Sequence, residues 1–189
     1  MSTEGLEQAF ASTRNILANV KPDQMDDGTP CQSWKVRDVV NHIVGGSQWF
    51  GDMMDTGGSQ INPNDMPDYA SMDYMDIFDD GAKKSVDAFG KPGALEKNVK
   101  LPFGEFPGSA FMGLATTDTF AHGWDLAKAT GQPTDLNPKL ASQLLENAKA
   151  NIPDSFRGPD TKAPFGPAVE CDDDAAPADQ LAAFLGRQP

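Results

Sequence analysis

The stretch TTDTFAHGWDLAKATG, residues 116–131, decides the fold prediction because it combines helical periodicity with an unusual set of charges. Asp118, His122 and Asp125 follow one another at intervals of four and three residues, so a helix places them on one face. Before the last turn, these two aspartates are the only formal charges, and Ala, Phe, Leu and Trp surround them. A solvent-facing helix in a chain of net charge −13 would carry Lys and Glu. The stretch therefore predicts a mostly buried helix that ends at Gly131.

A buried carboxylate needs a partner, because an unpaired buried charge is very costly. The sequence offers a metal ion, a histidine or an arginine. His42, in the helical stretch VRDVVNHIVGG, is the only histidine besides His122. Imidazole nitrogen and carboxylate oxygen both ligate divalent first-row metals, so His42, Asp118 and His122 are candidate ligands of one ion, with a position left open as in catalytic sites. Gly45 and Gly46, which follow His42, are expected to permit close helix approach.

An Asp–His hydrogen bond without a metal would explain the same spacing. For Asp125 we favour a role outside the coordination sphere, where it orients a ligating histidine; capping, pairing with an arginine and direct ligation are the alternatives. The three tryptophans, Trp34, Trp49 and Trp124, are expected in the core. Cys31 is expected to be a small buried residue rather than a nucleophile.

Further helical periodicity predicts an all-α bundle of four main helices with long connections and a short C-terminal helix, forming a single domain over residues 1–189. The connection 55–70 is rich in Gly, Pro, Asn and Asp, and 90–108 is interpreted as an extended connection, with a small hairpin as the alternative. Both connections are expected to border the mouth of the site. The predicted helices cover about 3–20, 34–54, 72–89, 109–130, 138–151 and 177–185.

The strong negative charge argues against nucleic acid and anionic membranes as partners, because both bind basic surfaces. No apolar run approaches the length of a membrane span, and the N-terminus has neither a basic start nor an apolar core of a signal peptide. A cytoplasmic protein is therefore expected, with its two cysteines, Cys31 and Cys171, reduced.

Three blocks of the sequence, TPCQSWKVRDVVNHIVGG, FAHGWDLAKATGQ and LAAFLGRQP, resemble in order and spacing an actinobacterial family of DinB-like metal-binding proteins. This family is related to the N-terminal domain of mycothiol-dependent maleylpyruvate isomerase. The resemblance implies a DinB-like four-helix bundle with a divalent metal, zinc or nickel, held by His42, Asp118 and His122. The isomerase pattern has a glutamate where Asp118 stands. The isomerase also has a C-terminal domain that this sequence is too short to match, so its full reaction is not expected.

The resemblance also implies a function, since family members with known activity use low-molecular-weight thiols. A divalent ion lowers the pKa of a bound thiol, so its thiolate is present at neutral pH. We therefore expect a metal-dependent transferase or isomerase that activates mycothiol or a similar thiol toward a small electrophile, as a monomer or homodimer. The alternatives are a metal-binding module without turnover and a helical dimerisation or stress-response module.

Overall fold

The computed structural model describes residues 2–63, 65–159, 162–163 and 165–189. The predicted helices are confirmed in number and closely in position within this part of the chain. Short 3-10 turns at Pro22–Gln24, Tyr69–Ser71 and Asp154–Phe156 interrupt the connections. The helices are α1 (Glu4–Leu17), α2 (Val36–Thr56), α3 (Tyr74–Phe89), α4 (Gly108–Ala129), α5 (Pro138–Asn151) and α6 (Pro177–Phe184).

The prediction of an all-α fold is wrong, because a two-stranded antiparallel sheet lies between α3 and α4. Strand β1 (Asn98–Leu101) pairs with β2 (Gly104–Pro107), with Leu101 opposite Gly104 across a two-residue turn. Along β1 the side chains of Val99 and Leu101 are buried and the two alternating residues are exposed. This alternation is the signature of a strand, but four residues are too few to stand out in the sequence. The hairpin alternative for residues 90–108 is what the structure adopts.

The first four helices form a bundle in which each helix packs against two others. Around the bundle the order is α1, α3, α2 and α4, and the contact between α2 and α4 brings His42 close to Asp118. The main hydrophobic core lies inside this ring. Its largest fully buried side chains include Leu6, Leu17, Met54, Phe78, Phe89 and Phe111.

Helix α4 lies between two hydrophobic clusters, which explains why its sequence is almost uncharged. One face belongs to the bundle core through Phe111, Ala115 and Leu126. Phe120 and Trp124, on another face, belong to a second cluster with α5 and α6. A helix that is buried nearly all round needs apolar residues nearly all round. The prediction of a mostly buried helix is confirmed, and the row of Asp118, His122 and Asp125 is an interruption that needs its own explanation.

The glycines beside His42 act differently from the prediction. A Cβ at Gly45 would collide with the side chains of Met66 and Tyr69, so Gly45 makes room for the connection after α2 and not for a helix. Close helix approach occurs at other glycines. A Cβ at Gly123 would collide with Thr13 of α1, and one at Gly81 of α3 would meet the backbone of α2.

Within the described residues, no helix is long and apolar enough to cross a lipid bilayer. The division of the chain into one domain, residues 1–189, stays a prediction.

Candidate metal centre

His42 and Asp118 meet across the interface between α2 and α4. His42 Nε2 lies 3.1 Å from Asp118 Oδ2 and 3.3 Å from Asp118 Oδ1. Asp38, in the first turn of α2, accepts a hydrogen bond from the Lys35 backbone N–H at 2.9 Å and so fixes the start of the helix. The side chains of His42 and Asp118 keep 21% and 26% of their surface exposed. The contact is therefore reachable from solvent.

His122 lies one turn after Asp118 and completes a group of three. Its Nε2 is 3.7 Å from Asp118 Oδ1, and its ring centroid is 4.6 Å from that of His42. One ligand atom from each of His42, Asp118 and His122 lies within 4.8 Å of the others. The structure thus brings together the three residues that the sequence analysis selected as ligands.

Asp125 contacts the other nitrogen of the His122 ring. Its Oδ2 accepts a hydrogen bond from His122 Nδ1 at 2.9 Å, and the Asp125 side chain is fully buried. When the proton is fixed on Nδ1, the free lone pair is on Nε2, the ring nitrogen that lies toward Asp118. This carboxylate–histidine arrangement is common behind metal-ligating histidines. The geometry fits the predicted role of Asp125 outside the coordination sphere.

Arg187, which follows α6, forms a two-point ion pair with Asp125. Its Nε and Nη2 donate to Oδ1 and Oδ2 at 3.2 and 3.1 Å, and only 12% of its side-chain surface is exposed. A turn at Gly186, with φ of 90°, directs Arg187 back toward α4. In this turn the Gly186 and Arg187 backbone N–H groups donate to Ala183 and Ala182. This is the usual glycine-dependent end of a helix.

The segment before α2 supplies two more side chains. Trp34 stacks over His122, with centroids 5.3 Å apart, and also lies 4.8 Å from the His42 ring. The Cys31 thiol donates to Asp125 Oδ2 at 3.3 Å and lies 3.5 Å from Arg187 Nη2. A turn closed by the Trp34 N–H on the Cys31 carbonyl holds the two side chains in place.

These contacts explain the electrostatics of the group. Burial alone would raise the pKa of both aspartates, but the neighbouring cations outweigh it: His42 for Asp118 and Arg187 for Asp125 lower each pKa to about 2. Burial disfavours the charge on His42, yet Asp118 outweighs this effect and raises the His42 pKa. Asp125 raises the pKa of Arg187 against the effect of burial. Both carboxylates are therefore ionised at neutral pH.

The group formed by His42, Asp118 and His122 fits a divalent ion. Two ligands of a tetrahedral zinc ion with bonds near 2.1 Å are about 3.4 Å apart. From one ligand atom, Asp118 Oδ1, the Nε2 atoms of His42 and His122 lie 3.3 Å and 3.7 Å away, on either side of that value. With neutral histidines, the three side chains carry one negative charge, which favours a cation.

Cys31, His122 and Asp125 form a second group with suitable ligand atoms. Here, however, the Arg187 guanidinium already contacts both Cys31 and Asp125. A metal cation would have to displace a buried cation of the protein. The first group is therefore the better metal centre.

The four residues selected from the sequence, His42, Asp118, His122 and Asp125, lie together in the structure, and three further residues that contact them were not selected. The sequence analysis named arginine as a possible partner for Asp125 without identifying Arg187. The sequence LGR after a short helix was a usable signal, because a glycine there indicates that the chain reverses direction. Trp34 was assigned to the core; it packs against the core and also against both histidines. Cys31 was expected to be buried; it is only partly buried, and it contacts the site. Trp49 and Trp124 are core residues, as predicted.

Comparison with known sequences decides the family. The sequence model of the mycothiol maleylpyruvate isomerase N-terminal domain matches residues 6–127, a range that contains His42, Asp118, His122 and Asp125. The chain belongs to this family. The match confirms the resemblance given by the sequence blocks and supports a DinB-like metal-binding domain related to mycothiol chemistry. Arg187 lies outside the matched range.

Mycobacterial proteins of nearly the same length are similar to this chain. Two uncharacterised proteins of Mycobacterium tuberculosis, from strains CDC 1551 / Oshkosh and ATCC 25618 / H37Rv, are each 42% identical over 187 residues. Each alignment covers 99% of this chain and 96% of the relative. These relatives support an actinobacterial family. No solved structure matches the chain.

Proposed function

We propose that this protein binds one divalent metal ion, zinc or nickel, through His42, Asp118 and His122, and that it activates a low-molecular-weight thiol such as mycothiol for transfer or isomerisation. The observation that carries the proposal is the convergence of both Nε2 atoms on the Asp118 carboxylate. Family membership supports the same function, since the family is named for a mycothiol-dependent isomerase domain.

The ligand set and its surroundings suit a thiol substrate. A divalent ion lowers the pKa of a coordinated thiol and so supplies a thiolate at neutral pH. Asp118 and His42 are partly exposed, so a small molecule can approach them from solvent. Trp34 contributes an aromatic face beside both histidines, against which the body of a substrate can pack. We place this activity in the cytoplasm, where low-molecular-weight thiols are kept reduced.

Asp125 and Arg187 have a supporting role in this proposal. The positive charge of the Arg187 guanidinium neutralises the negative charge of the Asp125 carboxylate. The negative charge that remains to attract a cation is that of Asp118, within the ligand set. Asp125 in turn keeps a proton on His122 Nδ1. In the described part of the chain, these buried groups contact one another and the site and leave the substrate-facing side to Asp118, His42 and Trp34.

The first experiment is metal analysis of untagged protein that has never met a chelator or nickel resin. We expect close to one zinc or nickel per chain, and much less after His42→Ala. Asp79→Asn is a matched control, because Asp79 pairs with Arg14 on the surface and its removal should not change metal content. Equal trace metal in all three proteins would contradict the proposal.

The second experiment tests the thiol. Cobalt-substituted protein titrated with mycothiol should show a thiolate-to-cobalt charge-transfer band, and thiol should then be consumed when an electrophile such as chlorodinitrobenzene is added. A band without thiol consumption would identify a metal- and thiol-binding module that does not turn over.

The alternative function, a helical module without a metal, is favoured by one observation. The contact between His42 Nε2 and Asp118 Oδ2 is of hydrogen-bond length, so this pair satisfies itself without an ion. Under this alternative, chelator changes neither the metal content nor the melting temperature of the wild type. Metal analysis therefore separates the two functions.

A further inference from the structure

We propose that Arg187 is a positioning residue of the metal centre: it holds Asp125 in the one arrangement that presents His122 Nε2 to an ion. The inference rests on the proposed function, since it concerns the same site. It adds a residue that lies 60 positions beyond the matched part of the family, and whose effect is transmitted through a second side chain.

Both carboxylate oxygens of Asp125 are held by neighbouring side chains. Its Oδ2 accepts three contacts, from His122 Nδ1 at 2.9 Å, Arg187 Nη2 at 3.1 Å and the Cys31 thiol at 3.3 Å. Its Oδ1 accepts from Arg187 Nε at 3.2 Å. Because Arg187 contacts both oxygens, the plane of the carboxylate cannot rotate without losing one of these bonds.

The fixed Asp125 carboxylate in turn determines the orientation of the His122 ring. A carboxylate with a fixed plane accepts from Nδ1 in one direction and thereby fixes both the tautomer and the ring orientation. Without Arg187, the buried carboxylate would lose the two bonds that fix its plane and would rotate toward other donors. His122 would then lose the acceptor that fixes the orientation of its ring and the position of its Nδ1 proton.

The backbone around Arg187 is built for this contact. Gly186 has φ of 90°, and a Cβ there would lie 2.6 Å from Gly166 Cα. The turn therefore requires glycine, and the loop that contains Gly166 packs directly against it. The Arg187 Nη1 donates to the Leu185 carbonyl at 3.1 Å. All three guanidinium nitrogens of Arg187 are therefore engaged, Nη1 by the Leu185 carbonyl and Nε and Nη2 by Asp125. Removal of a residue that supports a ligating histidine in this way typically lowers metal affinity by about 10- to 100-fold.

Arg157 provides a matched control. Its side chain is buried to a similar degree, with 10% exposed, and it donates to the Gly166 and Phe184 carbonyls. It thus also ties the C-terminal part of the chain to the fold, but its hydrogen bonds and ion pair within the described residues go to Asp154, Gly166 and Phe184 and not to the metal centre. Arg157→Ala therefore measures the effect of general destabilisation. Arg187→Ala should in addition change the zinc affinity and the tautomer of His122.

The test compares Arg187→Ala with Arg157→Ala by two readouts. The first is zinc affinity, measured by competition with a chromophoric chelator; we expect a roughly 10- to 100-fold loss for Arg187→Ala and little change for Arg157→Ala. The second is the ¹⁵N spectrum of the two histidine rings in metal-free protein. There the wild type should show His122 protonated at Nδ1, and Arg187→Ala should show a mixture of tautomers.

Chemical rescue completes the test. Ethylguanidinium added at non-denaturing concentration should restore part of the zinc affinity to Arg187→Ala and leave Arg157→Ala unchanged. If Arg187→Ala does not fold, Arg187→Gln, which keeps part of the side-chain volume and an uncharged amide donor, is judged by the same readouts. Wild-type affinity and tautomer in the Arg187 variant would overturn the inference. Because the tautomer is measured without metal, a wild type that binds no zinc would refute the proposed function and leave this inference to be decided by the spectrum.

Discussion

His42 Nε2 lies 3.1 Å from Asp118 Oδ2, and this contact joins α2 to α4 at the centre of the proposed site. A proton and a metal ion compete for the same nitrogen. In the metal-free protein Asp118 raises the pKa of His42 above its usual value of 6.5, so the proton competes from a higher pH than it would at a free imidazole.

Metal-free and metal-loaded protein should therefore respond to pH in opposite directions. Without metal, the raised His42 pKa contributes stability that is fully present below pH 6.5 and is lost as the pH rises through the raised value. With metal, stability falls as the pH falls through the same range, because protons displace the ion. Melting temperatures between pH 8 and 6, with and without chelator, measure both slopes. In His42→Ala both slopes should disappear, and parallel slopes in the wild type would contradict the prediction.

Acid unfolding should depend strongly on Asp125. Its pKa is lowered from 3.8 to about 2, so its carboxylate contributes stability that is present above pH 3.8 and lost as the pH falls toward 2. The shift corresponds to about 2 kcal/mol. Asp125→Asn should remove this acid dependence and also leave Arg187 buried without its counter-charge, which costs about 3 kcal/mol or more. Asp125→Asn should therefore lower stability as well as metal affinity.

A double-mutant cycle separates the two effects of that substitution. Adding Arg187→Met to Asp125→Asn removes the unpaired cation, so the double mutant should be more stable than Asp125→Asn by urea unfolding. Asp79→Asn, at the surface, should change stability by less than about 1 kcal/mol. A double mutant with additive losses would show that Asp125 and Arg187 are not coupled.

Asp118→Glu tests whether the shorter side chain limits metal binding. The isomerase pattern has glutamate at this position, and Asp118 already reaches both Nε2 atoms at 3.1 Å and 3.7 Å. We expect Asp118→Glu to keep stoichiometric metal. Asp118→Asn should weaken binding by roughly 100-fold or more, since even outer partners cost 10- to 100-fold. Titration with zinc against a competing chelator measures both, and an unchanged Asp118→Asn would remove Asp118 from the ligand set.

Trp34 should report occupation of the site by its fluorescence. Its ring lies 4.8 Å and 5.3 Å from the two histidine rings, whereas Trp49 and Trp124 are 5% and 1% exposed in the hydrophobic clusters. Nickel, which is paramagnetic, should quench Trp34 first. Trp34→Phe should therefore lose most of the nickel-induced quenching, and Trp49→Phe should keep it. Equal quenching in the two variants would place the ion elsewhere.

The connection between α2 and α3 should respond to metal in amide exchange. The Ala70 N–H donates to Asn41 Oδ1 at 2.8 Å, and Met66 and Tyr69 pack on Gly45, so this connection adjoins the helix turn of His42. The second connection differs, because α4 begins ten residues before Asp118, about 15 Å along the helix. We expect metal to slow exchange at residues 65–72 and not at 98–107. If metal protected both connections equally, the expectation that only the first of them adjoins the site would be wrong.

The sequence was most informative where periodicity is long. Helix α5 was predicted with the bounds that the structure shows, and α4 within one residue at each end, because 14 and 22 residues give several turns of pattern. The hairpin has only four residues per strand, so its alternation was too short to outweigh the surrounding Gly and Pro. That His42, Asp118 and His122 lie together was predictable, because histidine is scarce in this chain and two of the three side chains share a helix face.

Arg187 and Cys31 were not predictable by the same reasoning. Each meets Asp125 from a distant part of the chain, and no periodicity relates residue 31 or 187 to residue 125. The glycines beside His42 show the converse limit. A small residue indicates that something approaches closely, but the sequence does not say whether it is a helix backbone or, as at Gly45, a methionine side chain.

The way the site is assembled has a consequence for folding kinetics. Its central contacts join residues 76, 62 and 94 positions apart: His42 with Asp118, Asp125 with Arg187, and Cys31 with Asp125. Contacts of such long sequence separation close large loops, and they form late, after the helices have found one another. An ion that binds only the finished arrangement is absent from the transition state for folding. It should slow unfolding and leave the folding rate almost unchanged, so that the metal sets the lifetime of the native protein and not the speed at which it is made.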